Sequence, residues 1–160
     1  MKNLPMSTKS KYKQGIIKVT KEDGYIGSKD SIRIMSSFER VAVNLLIKLY
    51  KAKRIKGWVS EETIIPYVYT VDQKSHRYFI DFTVILPDDS VVLIEVKPES
   101  QLNPPKQPKK GLTESYKQAT MDFLKNKDKW RATKKLCEEW TRKKGKQHRF
   151  VIWTEKVLGI

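Results

Sequence analysis

The sequence holds a single cysteine, Cys137, among 160 residues. No internal disulfide can form, which excludes a disulfide-stapled secreted scaffold and fits a reducing compartment. Two histidines and one cysteine leave no Cys/His cluster at zinc-ligand spacing. No apolar run approaches the roughly 18 residues that a membrane-spanning helix needs, and no signal-peptide core follows Met1. Neither a membrane span nor secretion is therefore expected. No internal repeat is visible. Acidic residues are also scarce: 18 Asp and Glu face 33 Lys and Arg, for a formal net charge of +15. That imbalance favours a polyanionic partner, either nucleic acid or an anionic membrane surface.

Enough apolar material is present to bury a core. Hydrophobic residues make up 39% of the chain, with four Trp, seven Tyr and five Phe spread along it, so disorder throughout is excluded. The length suits one compact domain. Residues 1–33 are rich in Lys, Ser and Gly and read as a basic N-terminal arm, flexible through Lys13 and irregular beyond it. Residues 34–160 read as the folded domain. Ribosomal, histone-like and nuclease chains share such a composition, so the pattern along the chain has to decide.

A helix is predicted from Ser36, its N-cap, because Phe38, Val41, Ala42, Leu45, Leu46 and Leu49 recur at three- and four-residue spacing. Strands follow over Trp58 to Tyr69 (interrupted or edged at Pro66), Arg77 to Leu86 and Val91 to Val96, with Pro87-Asp88-Asp89 as the turn between the last two. A basic, proline-punctuated loop covers Gln101 to Gly111. Two helices, Thr113 to about Asn126 and Asp128 to about Lys144, then lead through Gly145 to a last strand, Arg149 to Thr154. Cys137 is expected as a buried small apolar residue, and Trp130 and Trp140 as packing residues. The order of elements predicts an α/β fold with a mixed central sheet flanked by helices.

The chemistry concentrates on one hairpin. If Leu86 pairs with Ser90 across the turn, Asp81 falls directly opposite Glu95, with Cβ atoms about 4.5–5.5 Å apart. Alternation then puts Lys97 on the same face as Glu95. The other face would carry Tyr78, Ile80, Phe82 and Val84 with Val92, Ile94 and Val96. Two opposed carboxylates repel unless something neutralises them. A divalent cation would do so: Mg²⁺ takes one or two carboxylates and leaves positions open for phosphate oxygens. A lysine beside it can orient or deprotonate an attacking water. The bland alternative is a solvated sheet face with a Glu–Lys pair. The wholly apolar run around Glu95 and the strongly basic chain favour the metal site.

Ile80-Asp81-Phe82 and Ile94-Glu95-Val96-Lys97 resemble the signature of the PD-(D/E)xK, or restriction-endonuclease-like, nucleases, and the element order is similar to their αβββαβ core. Ile80-Asp81 stands where the superfamily name has Pro-Asp, which leaves the carboxylate in place. Ser36-Ser37-Phe38-Glu39, Trp58-Val59-Ser60-Glu61, Ile65-Pro66-Tyr67, Tyr78 to Phe82, Glu95-Val96-Lys97-Pro98 and Thr154-Glu155 together resemble the head-completion nucleases of tailed phages. The likeness extends to the endonuclease subunit of Tn7-type transposases. It implies a metal-dependent DNA endonuclease that trims or finishes DNA during virion assembly, with phage head or portal proteins as partners, in the host cytoplasm or the virion. The implied cofactor is Mg²⁺, with Mn²⁺ as a substitute, held by Asp81, Glu95 and the Val96 carbonyl. The alternatives are a transposase-type or repair endonuclease, and a non-catalytic basic DNA-binding protein that completes a capsid.

The resemblance also implies a further carboxylate at Glu39. Ser36-x-x-Glu39 is equally a capping box, yet Glu39 heads the apolar stripe of Ala42, Val43, Leu46 and Tyr50 and should point toward the sheet. Glu61, beside Glu62, stays unassigned. Lys106, Lys109 and Lys110 in the loop could clamp phosphates, against the alternative of a disordered connector. The run Arg142, Lys143, Lys144 and Lys146 can be read as complementing a helix C-terminus. His76 and His148 are expected at the surface.

Overall fold

The computed structural model describes residues 14–160; the expectation for the stretch through Lys13 lies outside the described residues. Residues 15–34, read from sequence as irregular, form an antiparallel hairpin of β1 (Gly15–Lys18) and β2 (Ser31–Ile34). It holds because Val19, Tyr25, Ile32 and Ile34 are buried in the main core.

The first helix, α1 (Ser37–Lys51), starts where predicted, with the Ser36 hydroxyl accepting from the Glu39 amide at 3.1 Å. Its buried stripe is Ala42, Val43 and Leu46. The predicted Trp58–Tyr69 strand is two, β3 (Gly57–Ser60) and β4 (Ile64–Tyr69). The predicted Arg77–Leu86 strand is likewise two, β5 (Lys74–Phe79) and β6 (Phe82–Ile85). Both breaks fall at one level. Glu61, at a φ of 51°, donates its amide to the Asp81 carbonyl at 3.1 Å, and the Ile80 amide donates to the Thr63 carbonyl at 3.1 Å. The long hairpin therefore bends, and β4 and β5 leave the central sheet as a separate two-stranded ribbon.

The central sheet runs β3-β6-β7-β8, with β7 (Val91–Val96) antiparallel to β6 and parallel to β8 (His148–Trp153). Parallel neighbours need a crossover, and α2 (Glu114–Lys144) supplies it. Two helices were predicted here; one helix of 31 residues is found. No glycine or proline interrupts the segment, and Asp128, instead of capping a second helix, accepts from the Thr70 amide at 2.8 Å and its hydroxyl at 3.0 Å. A short α3 (Glu155–Leu158) closes the chain. No helix among the described residues is long and apolar enough to cross a membrane.

Alternation along β7 sorts its side chains between two cores. Val92, Ile94 and Val96 join Phe82 and Val84 against α1 and the N-terminal hairpin. Leu93 joins Ile65, Tyr67, Tyr69, Tyr78, Ile80 and Cys137 under α2. With both faces covered, the near-continuous apolar run of β7 is explained. Glu95, on the α2 side of the same strand, is consequently buried, at 4% exposure.

Candidate active site

The hairpin register is the expected one. Leu86 donates its amide to the Ser90 carbonyl at 2.9 Å, and the ladder ends at Phe82 against Ile94. One step further lie Asp81 and Glu95. The Asp81 Oδ2 accepts from the Val96 amide at 2.7 Å, which ties its carboxylate across to β7. Lys97 Nζ stands 3.4 Å from Glu95 Oε1. The Lys97 backbone is fixed in turn, its amide donating to the Trp153 carbonyl at 3.0 Å beyond the end of β8.

The facing predicted for Tyr78 and Ile80 is wrong. Both belong to the α2-side core, while Phe82 and Val84 belong to the α1 side. The bend between β5 and β6 is the cause, because it turns β5 before alternation can carry Tyr78 to the far face. The consequence is chemical: the Tyr78 hydroxyl donates to Glu95 Oε2. Burial, then the charges of Glu95 and Asp81, push the Tyr78 phenol well above its usual range, so it remains a donor. Sequence reasoning missed this residue, since no glycine or proline signals the bend.

Electrostatically the site is only partly relieved. Burial, followed by the charge of Glu95, holds the Asp81 carboxyl well above the usual carboxylate range. The Val96 amide and Lys97 work in the opposite direction. Glu39 is raised mainly by burial and also by the charges of Glu61 and Glu95, against the Met35 amide and Lys97. Its Oε2 accepts from the Met35 amide at 3.0 Å, one residue before the expected capping-box donor. Glu39 thus caps the α1 entry and sits within the field of the site. Among the described residues, no three His, Cys, Asp or Glu side chains stand close enough together to hold a metal ion. What the site offers a cation is the Asp81–Glu95 pair, with Glu39 further off. Two carboxylates in mutual repulsion fit a hard divalent ion of the Mg²⁺ kind, which needs only one or two and keeps its waters.

Lys97 lies where two grooves meet. One, of about 430 Å³, runs to the start of α1 and is lined by Ser36, Phe38, Glu39 and Pro98. The other, of about 420 Å³, runs along α2 past Lys129 and Lys125. Lys129 is a second residue the sequence reading missed. Its Nζ lies 5.0 Å from the Tyr78 ring centroid, and burial lowers its pKa against the pull of Glu95. Lys106, Lys109 and Lys110 are exposed on the loop between β7 and α2 and line neither groove.

The remaining residues have structural duties. Cys137 is buried, and burial pushes its thiol up to about 11, out of nucleophile range. His148, expected at the surface, is instead buried: its Nδ1 pairs with the Lys146 carbonyl at 2.8 Å and its ring lies against Trp140. His76 pairs with Asp72 at 2.8 Å. Arg142, Lys143 and Lys144 occupy the last turn of α2 before the left-handed cap at Gly145.

Residues 52–155 match the family model described as TnsA-like endonuclease N terminal. The chain is also 31% identical over 119 residues to the head completion nuclease of Enterobacteria phage T4, a match covering 72% of this chain and 77% of the phage protein. No solved structure matches the chain.

Proposed function

The chain belongs to the TnsA-like endonuclease family, and from that premise we propose that it is a metal-dependent DNA endonuclease whose site is built on Asp81, Glu95 and Lys97. The observation that carries this reading is the buried Glu95 with Lys97 at 3.4 Å and Asp81 tied beside it through the Val96 amide. A divalent ion held by Asp81 and Glu95, with the Val96 carbonyl and Glu39 as further oxygen donors, would supply Lewis-acid polarisation of the phosphate and a more acidic water. Mg²⁺ is the expected ion and Mn²⁺ a substitute.

The protein's own groups divide the remaining work. Lys97, at the mouth shared by both grooves, orients the attacking water, takes its proton or balances charge on the phosphate. Tyr78 holds Glu95 in one orientation from beneath. Glu39 adds negative charge at the α1 side and fixes the helix that bears it. Lys106, Lys109 and Lys110 grip backbone phosphates from the loop without reading sequence.

The biological task proposed is the trimming or finishing of DNA during phage head completion, alongside head or portal proteins in the host cytoplasm or the virion. The 31% identity to the phage nuclease supports it. The family model supports a second reading, transposase-type cleavage, on the same chemistry. Both rest on one test. Supercoiled plasmid incubated with the protein and Mg²⁺ or Mn²⁺ should be nicked, and Lys97→Ala and Glu95→Ala should bind DNA without nicking it. A wild type that binds DNA but never nicks it, with either metal, would leave only the non-catalytic capsid-completion reading.

A further inference from the structure

The groove along α2 has a feature that the cleavage chemistry does not use. Lys125 and Lys129 are four residues apart on one face of α2, about 6 Å along the helix axis. That is close to the separation of successive phosphates on a nucleic-acid strand. Each ammonium is held over an aromatic ring of the β4–β5 ribbon, Lys125 at 4.9 Å from the Tyr69 centroid and Lys129 at 5.0 Å from that of Tyr78. Such a cradle fixes side chains that would otherwise lose much rotamer freedom on binding. Among the described residues, neither lysine forms an ion pair with a carboxylate. Asp122, also in the groove wall, is engaged by the Gln118 amide at 2.9 Å.

We infer that this groove is a clamp for an unpaired DNA strand. Lys129 and Lys125 hold the two phosphates next to the one at Lys97; Phe123 also lines the wall, with Lys127 over one face of its ring at 5.7 Å from the centroid, and its opposite face is the one that would take an unpaired base. The inference rests on the nuclease reading for its direction, since Lys97 is where the strand enters. Stacking on an aromatic ring beside a positive track is how proteins hold single strands without reading sequence. The substrate is then DNA with an unpaired arm at the cut, such as a branch or an unfinished end.

Binding is measured by fluorescence anisotropy with the full chain in EDTA, where cleavage cannot intervene. The probes are a blunt duplex, the same duplex with splayed arms, and the single strand alone. The splayed duplex should bind tighter than the blunt one. Lys125→Gln with Lys129→Gln should weaken the splayed and single-stranded probes on the order of tenfold at 0.1 M salt. It should also reduce the log–log salt slope by about 1.4, the single-strand value for two phosphates, and weaken the blunt duplex far less. Lys125→Arg with Lys129→Arg should retain binding. If the Gln pair melts early, Lys125→Gln alone should still take about 0.7 from the slope. Unchanged affinity for the splayed probe overturns the clamp, as does an equal loss on the blunt duplex. Because the readout is blind to chemistry, a clamp that fails leaves plasmid nicking intact, and a nuclease reading that fails leaves the clamp intact.

Discussion

Asp81→Asn should make the metal-free protein more stable while removing its activity. The side chain lies one step beyond the Phe82–Ile94 pair, and its Oδ2 accepts from the Val96 amide at 2.7 Å. An asparagine oxygen can keep that hydrogen bond. What disappears is a negative charge opposite the buried Glu95. At the roughly 5 Å separation of directly opposed side chains, with an effective dielectric near 20, the repulsion is about 3 kcal/mol. Asp81 escapes part of this by taking up a proton, since burial and the Glu95 charge raise its pKa. The gain realised at pH 8 should therefore be about 1–3 kcal/mol. For a chain of this size each kcal/mol moves Tm by about 2–4 °C, so calorimetry in EDTA should place the variant roughly 2–12 °C above wild type. Adding Mg²⁺ should raise the wild-type Tm and leave the variant nearly where it was. A variant less stable than wild type in EDTA would refute the reasoning, because Asp81 would then be a net favourable contact and not one of a repelling pair.

The same pair sets a pH dependence. A carboxyl whose pKa is raised on folding gives a stability contribution that is complete below its ordinary value near 4 and lost as pH rises through the raised folded value. The Tm gap between Asp81→Asn and wild type in EDTA should thus widen from pH 5 to pH 8; a constant gap would sink the assignment. Lys97→Ala should cut plasmid nicking by about 10²–10⁴-fold, the usual worth of a proton-transfer group, with DNA affinity reduced far less. Tyr78→Phe strips a donor from buried Glu95 and should cost about 1–3 kcal/mol by chemical denaturation, along with slower nicking; an undiminished midpoint would mean that water replaces the hydroxyl. Ser36→Ala removes the N-cap acceptor of α1 and should cost about 0.5–2 kcal/mol, read by thermal melting.

Much of this was legible in the sequence where local rules govern. Ser36 capped α1 as expected because N-capping depends on neighbouring residues only. The Asp81–Glu95 juxtaposition followed from a short turn, since loop length fixes register. Three features were not legible, and each depends on contacts distant in sequence. The N-terminal hairpin is ordered by burying Tyr25 and Ile32 in a core assembled from α1 and the sheet. The continuity of α2 is supported where Asp128 meets Thr70, 58 residues away. Tyr78 and Lys129 entered the site because a bend with no glycine or proline redirected β5 toward α2.

That bend sets local backbone comfort against local charge. Glu61 occupies left-handed space at a φ of 51°, where glycine is at ease and a side chain costs on the order of 1 kcal/mol. Its carboxylate also adds to the field that, after burial, raises the pKa of Glu39. Glu61→Gly would relax the joint and weaken that field in one step, so the position couples the shape of the hairpin to the acidity of the site beneath it. A sequence that settles such a joint with glutamate carries a less stable backbone and a more negative entrance, and thermostabilising changes made there would also shift the acidity of Glu39.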